Sequence, residues 1–393
     1  MRELRLKTRE ERRIAAGHLW VFSNEVDIRA TPLTGFAPGE PCRIISSGGR
    51  FLGYGYVNPH ALICARLLGR DPRYPPDRSL LVHRLKVALA LRDRLYQTPF
   101  YRLVHGEADG LPGLVIDRYG DVVVGQIGTA GIETMKGEVL GAIEKVLRPR
   151  CVVWKNDSLA RRLEGLDSYV ETALGEAPAA LVVEENGVGF TVPAGGGQKT
   201  GWFYDQAANR RALLKYVPGM RVLDVFSYLG AWGLAAARAG AMEVACVDSS
   251  EPALELLQST AGRNSLAVTA LKGDAFDVLA RLREEGRNFD VVIIDPPAFV
   301  KKRRDLPRGQ AAYRKLNQLA MQLLPRDGVL VSCSCSYHFG PDELLATIQQ
   351  AARHLGRFAQ VVEAGGQGPD HPVHPAIPES RYLKAFFCRV VHD

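Results

Sequence analysis

The spacing of hydrophobic and polar positions changes character twice along the chain. Over residues 1–70 short β-type runs, PCRIISS, FLGYGYV and ALICARLL, are interrupted by Gly, Pro and Asn, which predicts a small β-rich barrel or sandwich. The linker-like DPRYPPD (71–77) precedes SLLVHRLKVALALRDRL, whose apolar residues recur at helical spacing. GLPGLVIDRYGDVVVGQI predicts a hairpin turning at Tyr119–Asp121. ETMKGEVLGAIEKVL predicts one helix, CVVWKND a strand and LVVEENGVGFTV two more, so that residues 71–192 read as a small α+β domain. From residue 193 onward strands and helices alternate: RVLDVF, GLAAARAG, EVACVD, PALELLQSTAGRN, AVTALKGD, DVLARLREE, FDVVIID, LVSCSC. That alternation predicts a doubly wound, mostly parallel sheet covered by helices on both faces. Ligands in such sheets bind at the carboxyl ends of the strands, which directs attention to the residues there.

The first of these strands runs into LDVFSYLGAWG, whose small residues let the backbone turn tightly and approach a ligand. It lacks the G-x-G-x-x-G of a nicotinamide enzyme. The second strand ends in Asp248, 24 positions beyond Asp224, near the offset at which an acid grips ribose hydroxyls. The third ends in Lys272-Gly-Asp274, with an acid placed to accept from an adenine amino group. Each acid alone could equally cap a helix, but three at successive strand ends imply a nucleoside-containing cofactor. The fourth strand gives VVIIDPPAFV, in which two prolines stiffen the loop that carries Asp295. The expected cofactor contacts are therefore Asp224, Phe226, Ser227 and Gly230, then Asp248 and Ser249, then Asp274 and Ala275, and finally Asp295.

With these motifs in place, D-P-P followed by an aromatic resembles the class I S-adenosylmethionine-dependent nucleic-acid methyltransferases. The likeness narrows along the chain. GHLWVFSNEV (17–26), HGEADGLPGLVIDRYGD (105–121), GQKTGWFYDQAANR (197–210), DPPAF (295–299) and DHPVHPAIPESRYLKAFFCRV (370–390) resemble successive signatures of the PUA-domain-containing cytosine-5 methyltransferases of large-subunit (23S-type) ribosomal RNA. The resemblance implies an N-terminal PUA RNA-binding domain (1–70), a central α+β domain (71–192) and a Rossmann-like methyltransferase domain (193–393). It also implies S-adenosyl-L-methionine as cofactor, with Gln198, Lys199 and Asp205 among its polar contacts, and large-subunit ribosomal RNA as partner. Two other readings stay open: a methyltransferase acting on a base nitrogen, and an RNA-binding assembly factor without turnover. A homodimer is also left open.

The two thiols of VSCSCSYHF decide between these chemistries. Alternation along a strand sends Cys333 and Cys335 to one face. Zinc would need about four convergent ligands, and only His371 and His374 offer helpful spacing. Core packing suits Cys333. Carbon 5 of cytosine is a poor nucleophile until a thiolate adds at carbon 6, whereas an amine needs no such help. In the family that the chain resembles the nucleophile lies in a motif ending the strand after D-P-P, which Ser334-Cys335-Ser336 matches, so the resemblance implies Cys335 as nucleophile, with Asp295 its partner in catalysis. Its ionisation is expected to be favoured by the strand end, cofactor charge and basic residues. Many RNA cytosine-5 methyltransferases outside this family carry a second cysteine directly after the D-P-P or D-A-P turn; Ala298 stands near that place here, which leaves the acceptor of the carbon-5 proton unassigned.

Charge and composition complete the picture. Lys and Arg outnumber Asp and Glu by 50 to 43, and the excess is concentrated at Arg2, Arg5, Lys7, Arg9, Arg12 and Arg13 and again at Lys301, Lys302, Arg303, Arg304 and Arg308. Such clusters favour a polyanion, and the second follows the D-P-P turn, where phosphates flanking an unstacked base would lie. Phe299 and Tyr337 are candidate stacking rings or core residues. No apolar run approaches the roughly 20 residues of a membrane span, and the N-terminus lacks the apolar stretch of a secretory signal. The expected location is therefore the cytoplasm, where seven cysteines would not form a disulfide framework.

Overall fold

The computed structural model describes residues 1–193 and 201–392. It divides into two compact units. The first contains Met1–Leu181, Pro369–Ser380 and the described part of 193–204; the second contains Val182–Val192, Asp205–Gly368 and Arg381–Asp393, of which residues up to 392 are described.

Within the first unit, the N-terminal strands form a five-stranded sheet in the spatial order Arg2–Arg5, Glu40–Ile45, Phe51–Val57, Ile63–Gly69, Trp20–Phe22. A bridge between Leu6 and Val26 joins the extensions of its two edge strands and curls the sheet toward closure. Leu4, Leu6, Ile14, Val21, Cys42, Ile44 and Cys64 fill its core. A second five-stranded sheet follows, and its Leu114–Tyr119 and Val122–Ile127 strands form the expected hairpin. The single helix expected after it is two: Ala130–Thr134 and Lys136–Leu147. They part at Met135 (φ −96°, ψ 10°). Gly131 lies flat against the Tyr56 ring, where a Cβ would fall 1.9 Å from a ring carbon. The Tyr56 hydroxyl is itself anchored, donating to the Pro112 carbonyl at 2.7 Å. The short helix is thereby packed against that ring.

Most of a two-stranded hairpin, Ala180–Glu185 with Val188–Pro193, belongs to the second unit; it is turned by Asn186 and Gly187, both at positive φ (51° and 73°), as a tight hairpin turn requires. Its Glu185 accepts from Arg210 Nη2 at 2.7 Å on the helix Ala207–Leu213. The main sheet is built from β1 (Arg221–Val225), β2 (Glu243–Asp248), β3 (Thr269–Lys272), β4 (Val291–Ile294), β5 (Asp327–Ser334), β6 (Arg357–Gly366) and β7 (Lys384–His392). Their spatial order is β3-β2-β1-β4-β5-β7-β6. Strands β1 to β5 are parallel; β7 runs antiparallel between β5 and β6.

Helices α1 (Ala231–Arg238), α2 (Glu251–Arg263), α3 (Ala275–Glu284), α4 (Leu306–Gln322) and α5 (Pro341–His354) alternate with the strands. All four residues of β4 are buried, as a strand covered on both faces must be. The order reverses between β1 and β4, and at such a switch point the helices diverge and leave a crevice above the strand ends. The antiparallel β7, absent from the sequence reading, fills the place beside β5.

Candidate active site

Asp224 stands in β1 at this reversal, fully buried, with one carboxylate oxygen accepting from the Gly233 backbone N–H at 2.9 Å. Its other oxygen is buried without a hydrogen-bond partner among the described residues, as is the Ser227 hydroxyl. The loop between β1 and α1 takes left-handed backbone at Phe226 (φ 66°), Tyr228 (φ 50°) and Gly230 (φ 77°). Gly230 is confined as well as bent: a Cβ there would meet the Leu257 side chain at 2.6 Å. Asp248, at the end of β2, accepts from the backbone N–H groups of Tyr228 and Ser250, both at 2.8 Å, and so ties this loop to the next strand end. Asp274 caps α3 by accepting from Phe276 N–H at 2.9 Å and is exposed; Ala275 beside it is buried, while Ser249 is exposed.

Asp295 follows β4 and is held by two side chains: Gln206 donates at 2.9 Å to one oxygen and the Trp232 indole at 3.1 Å to the other. Burial pushes its carboxyl up to about 6, partly offset by the Trp232 hydrogen bond. Burial likewise pushes Asp224 up to about 7, opposed by the Gly233 hydrogen bond and reinforced by the charges of Asp295 and Asp248. Asp205, also buried, accepts from the Tyr382 hydroxyl at 2.6 Å.

The two thiols have different surroundings. Cys333 lies within β5, fully buried, and desolvation holds it far above the ordinary thiol range. Cys335 lies one residue beyond β5 and is the one cysteine of the seven that is not buried. Its sulfur is 4.0 Å from the Pro296 carbonyl oxygen, so the thiol and the Asp-Pro-Pro turn meet. A hydroxyl network fixes the turn: Ser334 donates to Tyr313 Oη at 2.9 Å, Tyr313 and Ser336 share a bond at 3.0 Å, and Val300 N–H donates to Ser336 Oγ at 3.1 Å. Tyr313, on α4, stacks on Phe339 with ring centroids 4.6 Å apart and meets Phe299 at 4.8 Å. Phe299 is thereby packed into the core, while Tyr337 keeps an exposed ring. Lys384, the first residue of β7, donates to the carbonyls of Ser336 (2.6 Å) and Tyr382 (2.9 Å) from beneath the same turn.

A family model described as S-adenosylmethionine-dependent methyltransferase matches residues 155–388, and one described as PUA-like domain matches residues 4–70. The chain belongs to the S-adenosylmethionine-dependent methyltransferase family. Within it, the proteins named ribosomal RNA large subunit methyltransferase I from Photobacterium profundum and Escherichia coli are 37% and 36% identical to this chain, in each case over 97% of both chains. A chain from Streptococcus mutans described as a SAM-dependent methyltransferase shares the fold, with a TM-score of 0.82 at 22% identity, covering 99% of this chain and 100% of that one.

In this methyltransferase the charges of two of the carboxylates expected from the sequence, Asp248 and Asp295, both reach the third, Asp224. Gln198 and Lys199 lie outside the described residues. Lys301, Lys302, Arg303, Arg304 and Arg308 are all exposed, on the loop and first turn of α4 that leave the Cys335 turn through Val300. Arg304 approaches Asp305 at 3.9 Å, while the other four make no ion pair among the described residues. His371 sits in the first unit, its Nδ1 bonded to Asp370 at 2.9 Å; among the described residues no group of three potential ligands is placed to hold a metal. No helix among them is long and apolar enough to cross a membrane. Sequence reasoning missed Gln206, Trp232, Tyr313 and Lys384. Only the first and last fall inside quoted family motifs, and nothing in local sequence says that they reach Asp295 and the Cys335 turn.

Proposed function

We propose that this methyltransferase forms 5-methylcytosine in large-subunit ribosomal RNA, in the cytoplasm, through a transient covalent bond between Cys335 and the base. One observation carries the reading: among the described residues, the single accessible cysteine is held at the strand end against the Asp-Pro-Pro turn. The names of the full-length relatives support the RNA substrate, and the PUA-like domain supplies a second surface for it.

The residues fit the cofactor. The orphaned oxygen of Asp224 and the orphaned Ser227 hydroxyl are buried polar atoms awaiting partners, at the strand ends where an amino-acid and nucleoside ligand would rest. Asp224, Phe226, Ser227 and Gly230 would hold its amino-acid end and Asp248, Ser249, Asp274 and Ala275 its nucleoside. When bound, S-adenosylmethionine supplies the methyl group as an electrophile. The chain's own groups do the rest. Cys335 adds as thiolate to carbon 6, which makes carbon 5 nucleophilic. Asp295, whose carboxyl burial raises to about 6, hydrogen-bonds the pyrimidine edge as charge moves onto it. After methylation carbon 5 gives its proton to water, the carbon–sulfur bond breaks and the thiolate returns. The exposed Lys301–Arg308 cluster holds phosphates beside the unstacked base.

RNA carrying 5-fluorocytosine tests this directly, since fluorine cannot leave carbon 5 as a proton does. A protein–RNA adduct surviving denaturation and mapping to Cys335 is expected, with none for Cys335→Ser. An adduct on Cys333, or full transfer by Cys335→Ser, would overturn the mechanism. Methylation at a nitrogen, with no adduct, would overturn the product.

A further inference from the structure

Lys384 is a buried cation that the reaction as written does not use. It opens β7 opposite Ser334 of β5 in the antiparallel register, and its side chain runs past the end of β5 to the Ser336 carbonyl. The residue is 7% exposed. Among the described residues it forms no ion pair, its hydrogen bonds going to two backbone carbonyls. Carbonyls solvate an ammonium without neutralising it, and a buried charge that lacks a counter-ion is costly. Nζ thus reaches the backbone of the residue next to Cys335, and the charges of Cys335 and of Glu343, at the start of α5, both favour the ammonium against the cost of burial.

We propose that Lys384 is a positioning residue of this site: its ammonium holds Cys335 as the thiolate, and its two hydrogen bonds fix the turn on which that sulfur is carried. The proposal rests on the reading of Cys335 as nucleophile. The Cys335 sulfur gives its proton to water, and Nζ keeps all three of its own. Burial draws Lys384 down to about 8, so the ammonium persists up to about that pH. Tyr313 from α4, Cys333 from β5 and Glu343 from α5 also act on the two groups. Each of these three is neutral or anionic.

The test is the pH dependence of Cys335 alkylation by iodoacetamide in the full-length protein, read by peptide mass spectrometry. The six buried cysteines serve as internal references. A nearby opposite charge lowers a group's titration by about 1–3 units, so the wild-type midpoint should lie well below the ordinary ~8.5. Lys384→Met should raise it by that amount, and Lys384→Arg should restore most of the shift. A wild-type midpoint at or above ~8.5 would overturn the proposal without any variant. So would a folded Lys384→Met, checked by its thermal melt, with an unmoved midpoint. Alkylation does not depend on methyl transfer. A normal alkylation shift with no RNA adduct would therefore fail the cysteine mechanism while leaving the pair intact, and an adduct with no shift would do the reverse.

Discussion

If Asp224 holds the cofactor as proposed, its titration should make cofactor affinity depend on pH. Its carboxyl is fully buried and raised from 3.8 to about 7. A cationic ligand at its orphaned oxygen favours the carboxylate, so binding must displace the proton wherever Asp224 carries one. With a midpoint at about 7 the ionised fraction falls from about nine-tenths at pH 8 to about one-tenth at pH 6, so affinity for S-adenosylmethionine should weaken about tenfold, or ~1.4 kcal/mol. Asp224→Asn keeps an acceptor for Gly233 N–H but removes the charge. A lost charge-assisted contact of about 1.5–3 kcal/mol predicts roughly 10- to 150-fold weaker binding at pH 8 and a flattened pH profile.

Stability should move the other way. A folded-state pKa above the unfolded one contributes stability below the unfolded value that is lost as pH rises through the folded one. The window here runs from about pH 4 to about pH 7, and the penalty at pH 8 is roughly 4 kcal/mol. The Asn variant should therefore melt higher than the native chain at pH 8 in the absence of cofactor. Titration calorimetry at both pH values, with Asp295→Asn as a control for the neighbouring acid that titrates at about 6, measures the first effect. Scanning calorimetry measures the second. Equal wild-type affinity at pH 6 and 8, together with native-like binding by Asp224→Asn, would refute the reasoning.

Reversing Lys301, Lys302 and Arg303 to Glu should weaken RNA binding and reduce the log–log salt slope by about 0.7–0.9 per lost phosphate contact, with cofactor affinity unmoved; an unchanged slope would return the loop to a merely solvated surface. Tyr313→Phe removes the hydroxyl that bonds both Ser334 and Ser336 while keeping the Phe339 stack. It should cost about 1–3 kcal/mol in chemical denaturation and slow methyl transfer more than it weakens RNA binding, which kcat and KM measured separately will show. Cys333→Ser places a hydroxyl in a fully buried strand position and should lower stability by about 1–3 kcal/mol while sparing adduct formation at Cys335.

The alternation of strands and helices, the acids at the strand ends and the two thiols two residues apart were all legible in the sequence, because each depends on local period or on residue chemistry. A parallel strand shows itself as a short apolar run, and a strand end as the polar residue that stops it, so Asp224, Asp248 and Asp295 could be named and their meeting expected from the doubly wound pattern. The difference between Cys333 and Cys335 was legible only in part, since alternation puts both on one face and says nothing of which is covered.

Tertiary structure decided that. The strand ends at Ser334, leaving Cys335 on a turn and Cys333 inside the sheet. It also decided that β7, some 50 residues later, returns antiparallel beside β5 and brings Lys384 under the turn. In the same way Gln206 and Trp232, from two separate helical regions, close on Asp295. Contacts between residues so far apart in the chain leave no period and no motif, because they arise from the order in which strands pack rather than from what neighbours each residue along the backbone. The packing of Gly131 against the ring of Tyr56, in the short helix before Met135, is likewise a contact that local propensity cannot register.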